Sequence, residues 1–335
     1  MKKMVQSFAE LIPMNFMFCD VGVRGGIPAQ WAPFKSLIQI FGFEPDEVEY
    51  ARLTKEKING RYFNCALSDT ETERPLYLTK VRGCSSLYEP NMVFLRQFPG
   101  SDWLEVEKVV TIKTHTLDSV FQKEATTTCD FIKIDVQGAE LDVLKGGLKS
   151  LKNHVLGMEI EVEFQPLYKD QPLFPDIDVF VRSQFGLEIQ DFKKYYWKFQ
   201  RGINYGSAKG KLIFGEALYF RPPGSVFEIC KDQTLAKAKE TILKAILMGI
   251  IYGYFDYALL ILERSVEEKY FEEEHLFPLK DAIKVYGKGL RYTGPFASYF
   301  SEGFRLLYKM FQPTEGGWGS VGQPLGSQKK FKVFL

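Results

Sequence analysis

The most specific stretch of the chain is residues 130–140, which read DFIKIDVQGAE. Its first half is a short apolar run, typical of a buried strand, and the run stops at Asp135. Gly138 then supplies a turn, and we expect a helix to follow with Glu140 in its first turn, where a carboxylate interacts favourably with the helix dipole. Because ligands of open α/β sheets bind beyond the carboxyl ends of the strands, Asp135 is expected beside a binding site.

Similar apolar runs recur on both sides of this stretch and alternate with segments long enough for helices. That alternation predicts an α/β fold with a mainly parallel sheet covered on both faces. The predicted strands lie at 16–21, 37–43, 62–67, 131–134 and 155–164, with two more near 187–199 and 211–220. Residues 71–107 have no clear pattern, and we expect this long irregular segment to be a lid or a binding loop.

The first predicted strand runs into a glycine turn, residues 20–26, which read DVGVRGG. Gly22 and Gly25 match the second and third glycines of the dinucleotide fingerprint GxGxxG, but Asp20 stands in place of the first. A carboxylate at that position would repel the pyrophosphate of a dinucleotide. It suits S-adenosylmethionine, which has no phosphate and carries a sulfonium and an ammonium group.

An acidic residue also follows the second predicted strand. Glu44 comes directly after this strand, about 20 positions beyond Gly22, where a carboxylate can accept both hydroxyls of a ribose. An ordinary tight turn beside a solvated glutamate would give the same pattern. The presence of Asp20 and Glu44 at matching strand ends favours the cofactor site.

The stretch 130–147 strongly resembles the signature of the FkbM-type methyltransferase family. The resemblance extends over about residues 15–222 and includes 19–22 (CDVG), 43–46 (FEPD), 66–69 (ALSD), 83–87 (GCSSL) and 156–164 (LGMEIEVEF). It implies a Rossmann-like, seven-stranded, mostly parallel sheet of the class I methyltransferase type, with S-adenosylmethionine as the methyl donor.

The resemblance also implies roles for individual residues. Asp20, Gly22 and Glu44 would contact the cofactor, and Ser68 and Asp69 would lie near its adenine. Gly25 and Asp135 complete the expected cofactor-binding set.

One departure from the family pattern concerns the glycine turn. Residues 23–26 read VRGG, where the family more often has Ala-Asn-x-Gly. Arg24 would be unfavourable beside a cationic ligand unless its side chain points away.

The family's usual acceptors are hydroxyl groups of sugars, glycolipids or polyketides, so a small-molecule or glycan acceptor is expected. Such a hydroxyl is a weak nucleophile and benefits from a base that takes its proton. Strand alternation places Glu159, Glu161 and Glu163 on one face, and three carboxylates cannot stay ionised on a buried face without partners or water. We therefore expect this strand to end at a cleft or at cations, with Asp135 and Glu161 as the first candidates for the general base and Glu159 next.

These acids could instead form ion pairs with lysine or arginine side chains from residues 170–200. They could also hold a divalent cation. Nothing in their spacing demands a metal, so no metal ligand is predicted.

The chain changes character after residue 224. Apolar residues recur at helical spacing over 235–267, which predicts a helical hairpin. We expect a methyltransferase domain at 1–224 and an α-helical extension at 225–335, which could cap the first domain or form a homo-oligomer interface. The glycine-rich tail at 316–326 is expected to be mobile.

Composition excludes several classes of function. The net charge is +1 over 335 residues without a dense Lys/Arg block, which argues against a nucleic-acid partner. The five cysteines form no CxxC pair, which argues against a zinc site or a disulfide framework. No apolar stretch is long enough to span a bilayer, and a cytoplasmic location is expected.

The sequence therefore predicts an S-adenosylmethionine-dependent O-methyltransferase that acts on a hydroxyl of a sugar, glycan or secondary metabolite. Two alternatives stay open at this point. One is a non-catalytic scaffold with a methyltransferase-like fold. The other is a nicotinamide-dependent oxidoreductase, which the carboxylate of Asp20 disfavours.

Overall fold

A computed structural model describes residues 2–11, 15–55, 60–125, 129–202, 210–287 and 319–321 of the chain. The strands within these ranges are β1 (Phe16–Val21), β2 (Ile38–Phe43), β3 (Gly60–Phe63), β4 (Ala66–Leu67), β5 (Glu73–Thr79), β6 (Val106–His115), β7 (Phe131–Ile134), β8 (Gly157–Glu163), β9 (Glu188–Trp197), β10 (Lys211–Phe220) and β11 (Gly319–Val321). The α-helices are α1 (Lys2–Leu11), α2 (Glu47–Lys55), α3 (Met92–Leu95), α4 (Leu117–Lys123), α5 (Glu140–Gly146), α6 (Leu148–Leu151), α7 (Phe174–Phe185), α8 (Pro223–Cys230), α9 (Leu235–Ile251), α10 (Phe255–Glu267) and α11 (Glu273–Gly287).

The main sheet has the strand order β11-β9-β10-β8-β7-β1-β2-β3 in the described residues. Strands β3, β2, β1, β7 and β8 pair in parallel, β10 is antiparallel to β8, and β9 is antiparallel to β10. The predicted α/β fold with a seven-stranded, mostly parallel sheet is therefore confirmed. The three-residue strand β11 adds to the edge beside β9.

Strand register brings the acidic strand ends to one edge of this sheet. Asp20 on β1 is opposite Lys133 on β7, and Lys133 is opposite Glu159 on β8. On the outer side, Glu161 of β8 is opposite Glu216 of β10. Polar side chains thus meet where parallel strands end, which is the edge at which α/β sheets bind ligands.

Side chains alternate along the strands and divide the core between the two faces of the sheet. On one face, helices α4 to α7 pack against apolar residues of β1, β7 and β8, including Met17, Ile132 and Ile160. On the other face, Phe18 and Phe131 pack against the C-terminal helices α8 to α11. Every residue from 241 to 251 in α9 is buried.

The connection from β1 to β2 explains why the C-terminal helices lie there. Residues 22–37 contain only the short 3₁₀ turn Ala32–Phe34 in place of a crossover α-helix. Trp31 stacks on Phe18 with 4.5 Å between the ring centroids, and its indole N–H donates to the Tyr252 hydroxyl at the end of α9, 3.4 Å away. The C-terminal helices therefore cover the face that the short connection leaves open.

A buried ion pair joins α9 to the sheet. The Lys244 ammonium lies 2.8 Å from the Asp130 carboxylate and 2.7 Å from that of Glu240. Asp130 also accepts the backbone N–H of Met17 at 2.7 Å. The predicted helical C-terminal region is confirmed, while the division of the chain at residue 224 stays a prediction, because one hydrophobic cluster extends across it.

The segment 71–107 differs from its predicted irregular form. It contains β5, which pairs with β6, and β6 also pairs with β4, so these strands form a separate three-stranded sheet in the order β4-β6-β5. Pro75 lies inside β5, which is an edge strand, and a proline within a run lowers its resemblance to a strand. Through this small sheet, the segment 71–107 lies next to the site described below.

No helix in the described ranges is long and apolar enough to cross a membrane. The mobility predicted for 316–326 concerns residues outside the described ranges, apart from strand β11.

Candidate cofactor cleft and neighbouring acids

A cleft of about 300 Å³ opens at the carboxyl ends of β1, β2 and β7. This volume lies at the lower end of the range for small-molecule sites, about 300–1,000 Å³. One wall is polar, and another is largely apolar and has residues of β2, β4 and β5 together with Cys65, which precedes β4. The lining residues are Val21, Gly22, Arg24, Phe43, Glu44, Pro45, Asp46, Cys65, Ala66, Leu67, Leu76, Leu78, Arg82, Gly83, Ser85, Ser86, Leu87, Lys133, Asp135, Val136 and Gln137.

The two glycines predicted for the cofactor turn have different roles. Gly22 has a φ of +82°, and a Cβ atom placed there would lie 1.9 Å from the backbone oxygen of Asp135. Gly25 has a φ of +81°, but nothing lies within 4 Å of its Cβ position. Gly22 is therefore needed both for its conformation and for the close approach of the turn to β7, whereas Gly25 is needed only for its conformation.

Asp20 is buried directly before the residues that line the cleft. Its Oδ1 atom has no hydrogen-bond partner among the described residues. Burial raises the pKa of Asp20 to about 6, with Asp135 raising it further and Lys133 opposing the shift. An unpaired buried acceptor of this kind is costly unless a donor reaches it.

Glu44 is also buried and lines the cleft. Its Oε1 atom accepts the backbone N–H of Asp46 at 2.8 Å. Burial raises the pKa of Glu44 to about 7, against the effect of this hydrogen bond and of Arg24. The Arg24 side chain turns towards these acids, with its Nε 3.7 Å from Glu44 Oε2 and its Nη2 3.5 Å from Asp46 Oδ2. The positive charge of Arg24 is thus partly balanced by these two carboxylates beside the cleft.

Ser68 and Asp69 are not among the residues that line the cleft, although Ala66 and Leu67 just before them are. The Ser68 hydroxyl is buried, accepts from Arg74 Nη1 at 3.0 Å and donates to Asp69 Oδ1 at 3.2 Å. Their proximity to an adenine stays a prediction.

Asp135 lies at the end of the cleft with its side chain 36% exposed. Lys133 Nζ is 3.5 Å from its Oδ2 atom. The amide nitrogen of Gln137 donates to Asp135 Oδ1 at 2.9 Å and to Glu161 Oε1 at 2.5 Å. The structure thus brings together the first two predicted bases, through a glutamine that the sequence analysis did not single out.

Glu161 is half-buried beside this bridge. Burial raises its pKa well above the usual range, and the carboxylates of Asp135 and Glu163 add to the effect. The alternative for these acids was an ion pair with a lysine or arginine of residues 170–200. Lys193 lies in that range, but it pairs with Glu216 on β10, at 2.7 Å. The acid pair therefore keeps Lys133 as its nearby cation.

Glu159 is held in a different place from the other two candidates. Its side chain is buried and its Oε2 atom accepts from the Tyr252 hydroxyl at 2.7 Å. Burial raises the pKa of Glu159 to about 7, while Lys133 and Tyr252 lower it. Glu159 does not line the cleft, and it connects the sheet to the end of α9.

Two more glutamates lie beneath the acid pair. Glu140 begins α5 as expected, and its Oε1 atom accepts the backbone N–H groups of Val136 and Gly138 at 2.9 and 3.1 Å. Glu163 is 1% exposed, and neither of its oxygens makes a well-aligned hydrogen bond in the described part of the chain. Burial raises the pKa of Glu163 well above its usual range, although the Gln171 amide opposes this shift.

The residues of the cleft fit S-adenosylmethionine. Its ribose hydroxyls are donors that match the Glu44 carboxylate, which lines the cleft. Its ammonium group is a donor that matches the unpaired Oδ1 atom of Asp20, which is buried next to the lining residue Val21. Its adenine matches the apolar wall that includes Leu67 and Leu78. The glycine at position 22 permits a close backbone approach at the strand end.

Comparison with known proteins supports S-adenosylmethionine as the cofactor. The methyltransferase FkbM domain matches residues 20–187. The 2-O-methyltransferase NoeI of Sinorhizobium fredii is 27% identical over 173 residues, which are 48% of this chain and 69% of that protein.

Two methyltransferases of known structure are weakly similar to this chain. A TehB-like SAM-dependent methyltransferase from Corynebacterium glutamicum has a TM-score of 0.31 at 11% identity, covering 66% of this chain and 88% of that one. A putative tRNA (m1A22) methyltransferase from Streptococcus pneumoniae has a TM-score of 0.31 at 12% identity, covering 86% and 99%.

Proposed function

The chain belongs to the FkbM methyltransferase family and is an S-adenosylmethionine-dependent methyltransferase, and we propose that its acceptor is a hydroxyl group of a sugar, glycan or secondary metabolite. The observation that carries this proposal is the pair of carboxylates, Asp135 and Glu161, joined by the Gln137 amide beside the cofactor cleft. A hydroxyl oxygen needs a base as it becomes a nucleophile, and a carboxylate can take its proton. The name of the relative NoeI, a 2-O-methyltransferase, supports an oxygen acceptor.

Four residues are assigned to the cofactor. Asp20 accepts hydrogen bonds from the ammonium group, and Glu44 accepts them from the ribose hydroxyls. Gly22 lets the backbone pass close to the ligand, and Asp135 borders the methyl end of the cleft. When bound, S-adenosylmethionine supplies a methyl group on a positively charged sulfur, which a nucleophile displaces in line.

Asp135 is the first candidate for the general base. Its side chain is 36% exposed and it lines the cleft, whereas Glu161 is not among the lining residues. As the acceptor oxygen becomes the nucleophile, Asp135 would take the hydroxyl proton, and bound S-adenosylmethionine would supply the methyl group. Glu161 is the alternative base. It accepts the other hydrogen bond from the Gln137 amide, and in this alternative it takes the hydroxyl proton in place of Asp135.

The same site disfavours the two alternatives. A dinucleotide would bring its pyrophosphate to the turn where Asp20 is buried, with its Oδ1 atom unpaired among the described residues. A purely scaffolding role would leave that buried acceptor and the bridged acids without a function.

The proposal is tested by titration calorimetry and by a transfer assay on the full chain. We expect S-adenosylhomocysteine to bind the wild type and to bind the Asp20→Ala variant more weakly. Radiolabelled methyl donor is then supplied with a panel of oligosaccharides and hydroxylated metabolites. Transfer should fall by about 10²–10⁴-fold in Asp135→Asn or in Glu161→Gln, because each loses a basic oxygen.

Glu89→Gln provides the matched control, since Glu89 is an exposed carboxylate in a surface ion pair with Lys169. Its transfer rate should equal that of the wild type. Methyl transfer only to nitrogen acceptors, or full activity in both acid variants, would contradict the proposal.

A further inference from the structure

Gln137 has a backbone conformation that is unusual for its residue type. Its φ is +59°, in the left-handed region, and the next residue, Gly138, has a φ of +99°. A residue with a Cβ atom is strained there, and such strain persists only where surrounding contacts impose it. The contacts of Gln137 therefore require an explanation.

Every polar group of the Gln137 side chain is in use. Its amide nitrogen donates to Asp135 and to Glu161, and its amide oxygen accepts from the Tyr168 hydroxyl at 3.0 Å. The Ser86 hydroxyl donates to the backbone oxygen of Gln137 at 2.6 Å. The side chain is thus held from one side and presents both amide hydrogens to the two acids.

Tyr168 provides the fixed point behind this arrangement. Its ring is fully buried, and its hydroxyl also lies 2.9 Å from the backbone oxygen of Cys84. Its backbone N–H donates to the Gln171 side chain at 2.6 Å. Burial and these hydrogen bonds fix the position of the Tyr168 hydroxyl, so the Gln137 amide would lose its hydrogen bond to Tyr168 if it rotated away from the acids.

The two acids need such a bridge because few positive groups lie near them. Among the described residues, the titratable or charged groups that face Glu161 are Asp135 directly after β7, Lys133 on β7, Glu163 on β8, Glu140 on α5, Glu216 on β10, Tyr195 on β9, and Cys84 and Tyr168 outside the strands. Most of these groups are acidic, so two ionised carboxylates would repel each other. One amide hydrogen on each carboxylate offsets part of that repulsion.

We propose that Gln137 is a positioning residue that holds Asp135 and Glu161 together as one acid–base unit for the acceptor hydroxyl. This inference rests on the proposed function, in which one of these acids takes the acceptor proton. The strained backbone of Gln137 is the conformation that directs its amide to both acids at once. A purely structural role would need the turn but not the amide.

Three variants separate these two roles. Gln137→Gly keeps the left-handed backbone accessible and removes the amide. Gln137→Ala removes the amide and keeps the strain of a Cβ atom. Gln137→Asn keeps an amide and tolerates the conformation, but it is one methylene shorter and reaches at most one acid.

The first readout does not need an acceptor. Carboxyl carbons of Asp and Glu are labelled with ¹³C in the full-length protein, the Glu161 signal is assigned with Glu161→Gln, and its titration is followed by NMR. We expect the Glu161 titration to move to higher pH in Gln137→Gly, because the lost N–H donor had favoured the ionised form. An unchanged titration would overturn the inference.

The second readout is the pH profile of methyl transfer to the acceptor that the transfer assay described under the proposed function identifies. The value of kcat should fall about 100-fold in both Gln137→Gly and Gln137→Ala, and its acidic limb should move to higher pH, with Gln137→Asn intermediate. A wild-type kcat and pH profile in Gln137→Gly would refute the positioning role. If the Glu161 titration moves but no hydroxyl acceptor is methylated, the proposed acceptor class fails while the bridge between the acids stands.

Discussion

Lys244 on α9 and Asp130 before β7 form an ion pair of 2.8 Å in which both side chains are buried. The same Asp130 oxygen accepts the backbone N–H of Met17, at the start of β1. Burial raises the pKa of Asp130, and Lys244 opposes that shift. The C-terminal helices are thus joined to the two central strands of the sheet by a charged contact as well as by apolar packing.

Breaking this pair should destabilise the whole sheet. Lys244→Met keeps a helix-forming residue of similar length but leaves the Asp130 carboxylate buried without its cation, at a cost of about 3–5 kcal/mol in the free energy of unfolding. Adding Asp130→Asn removes that charge and retains an acceptor for Met17, so the double variant should recover much of the loss. Urea denaturation measures both changes.

The control for this comparison is Lys231→Met, which breaks an exposed ion pair with Glu228. Exposed pairs contribute about 0–1 kcal/mol, so its free energy of unfolding should hardly change. Equal effects of Lys244→Met and Lys231→Met would contradict the anchoring role.

Alanine substitution should separate the two glycines of the cofactor turn. In Gly22→Ala the new Cβ atom would overlap the backbone oxygen of Asp135, at 1.9 Å. We expect a loss of about 3 kcal/mol or more in stability and no S-adenosylhomocysteine binding. Gly25→Ala has a similar φ but open space, so it should cost about 1 kcal/mol and keep binding. Thermal denaturation and calorimetry would report the difference, and a tightly binding Gly22→Ala protein would disprove it.

Donor affinity should depend on pH through Glu44. Its pKa of about 7 in the free protein means that the carboxyl is increasingly protonated below neutrality. Ribose hydroxyls bind the ionised form, so affinity for S-adenosylhomocysteine should rise with pH up to about 7 and weaken towards about tenfold per unit of pH below that value. Calorimetry from pH 5.5 to about 8.5 tests this. Glu44→Gln should bind more weakly, and Asp20, with a pKa of about 6, should provide its remaining pH dependence.

The ligand-free protein should be more stable in mild acid than above neutrality. Burial raises the pKa of Asp20 to about 6 and of Glu44, Glu140 and Glu159 to about 7. Between the unfolded values and these folded values the native state binds more protons than the unfolded state, so stability falls as pH rises. His154, whose pKa burial lowers, acts in the opposite direction as a single group.

We therefore expect a lower Tm at pH 8 than at pH 5.5. Glu159→Gln removes one of the four groups and should flatten the dependence, at about 1.4 kcal/mol for each unit of pKa shift removed. A Tm that rises from pH 5.5 to pH 8 would show that these acids are not held as described.

The sequence predicts the parts of the site that depend on local signals. Gly22, Glu44 and Asp135 follow apolar runs, and the ends of parallel strands meet at one edge, so their presence around one cleft could be anticipated. The role of Gln137 could not, because its conformation depends on Tyr168, which lies 31 positions away. The only local signal was a glutamine directly before the turn glycine.

Long-range packing accounts for the other differences. Three glutamates alternate along β8 and look equivalent in sequence, yet Glu159 is bound by Tyr252, 93 positions away, while Glu161 reaches the acid pair. Alternation identifies the face of a strand but not what covers each part of that face. The helical spacing of apolar residues after residue 224 likewise predicts helices, but it does not indicate that these helices cover the sheet.

The short connection between β1 and β2 has a consequence for how the protein is made. Trp31 donates its hydrogen bond to Tyr252, which is 221 positions later in the chain. A nascent chain that has left the ribosome only as far as β10 would lack α8 to α11, which cover much of this face of the sheet. Such distant contacts slow folding and leave apolar surface open to aggregation. We therefore expect the catalytic sheet to complete its folding late in synthesis. A fragment that ends at residue 224 is expected to bind chaperones and not the cofactor.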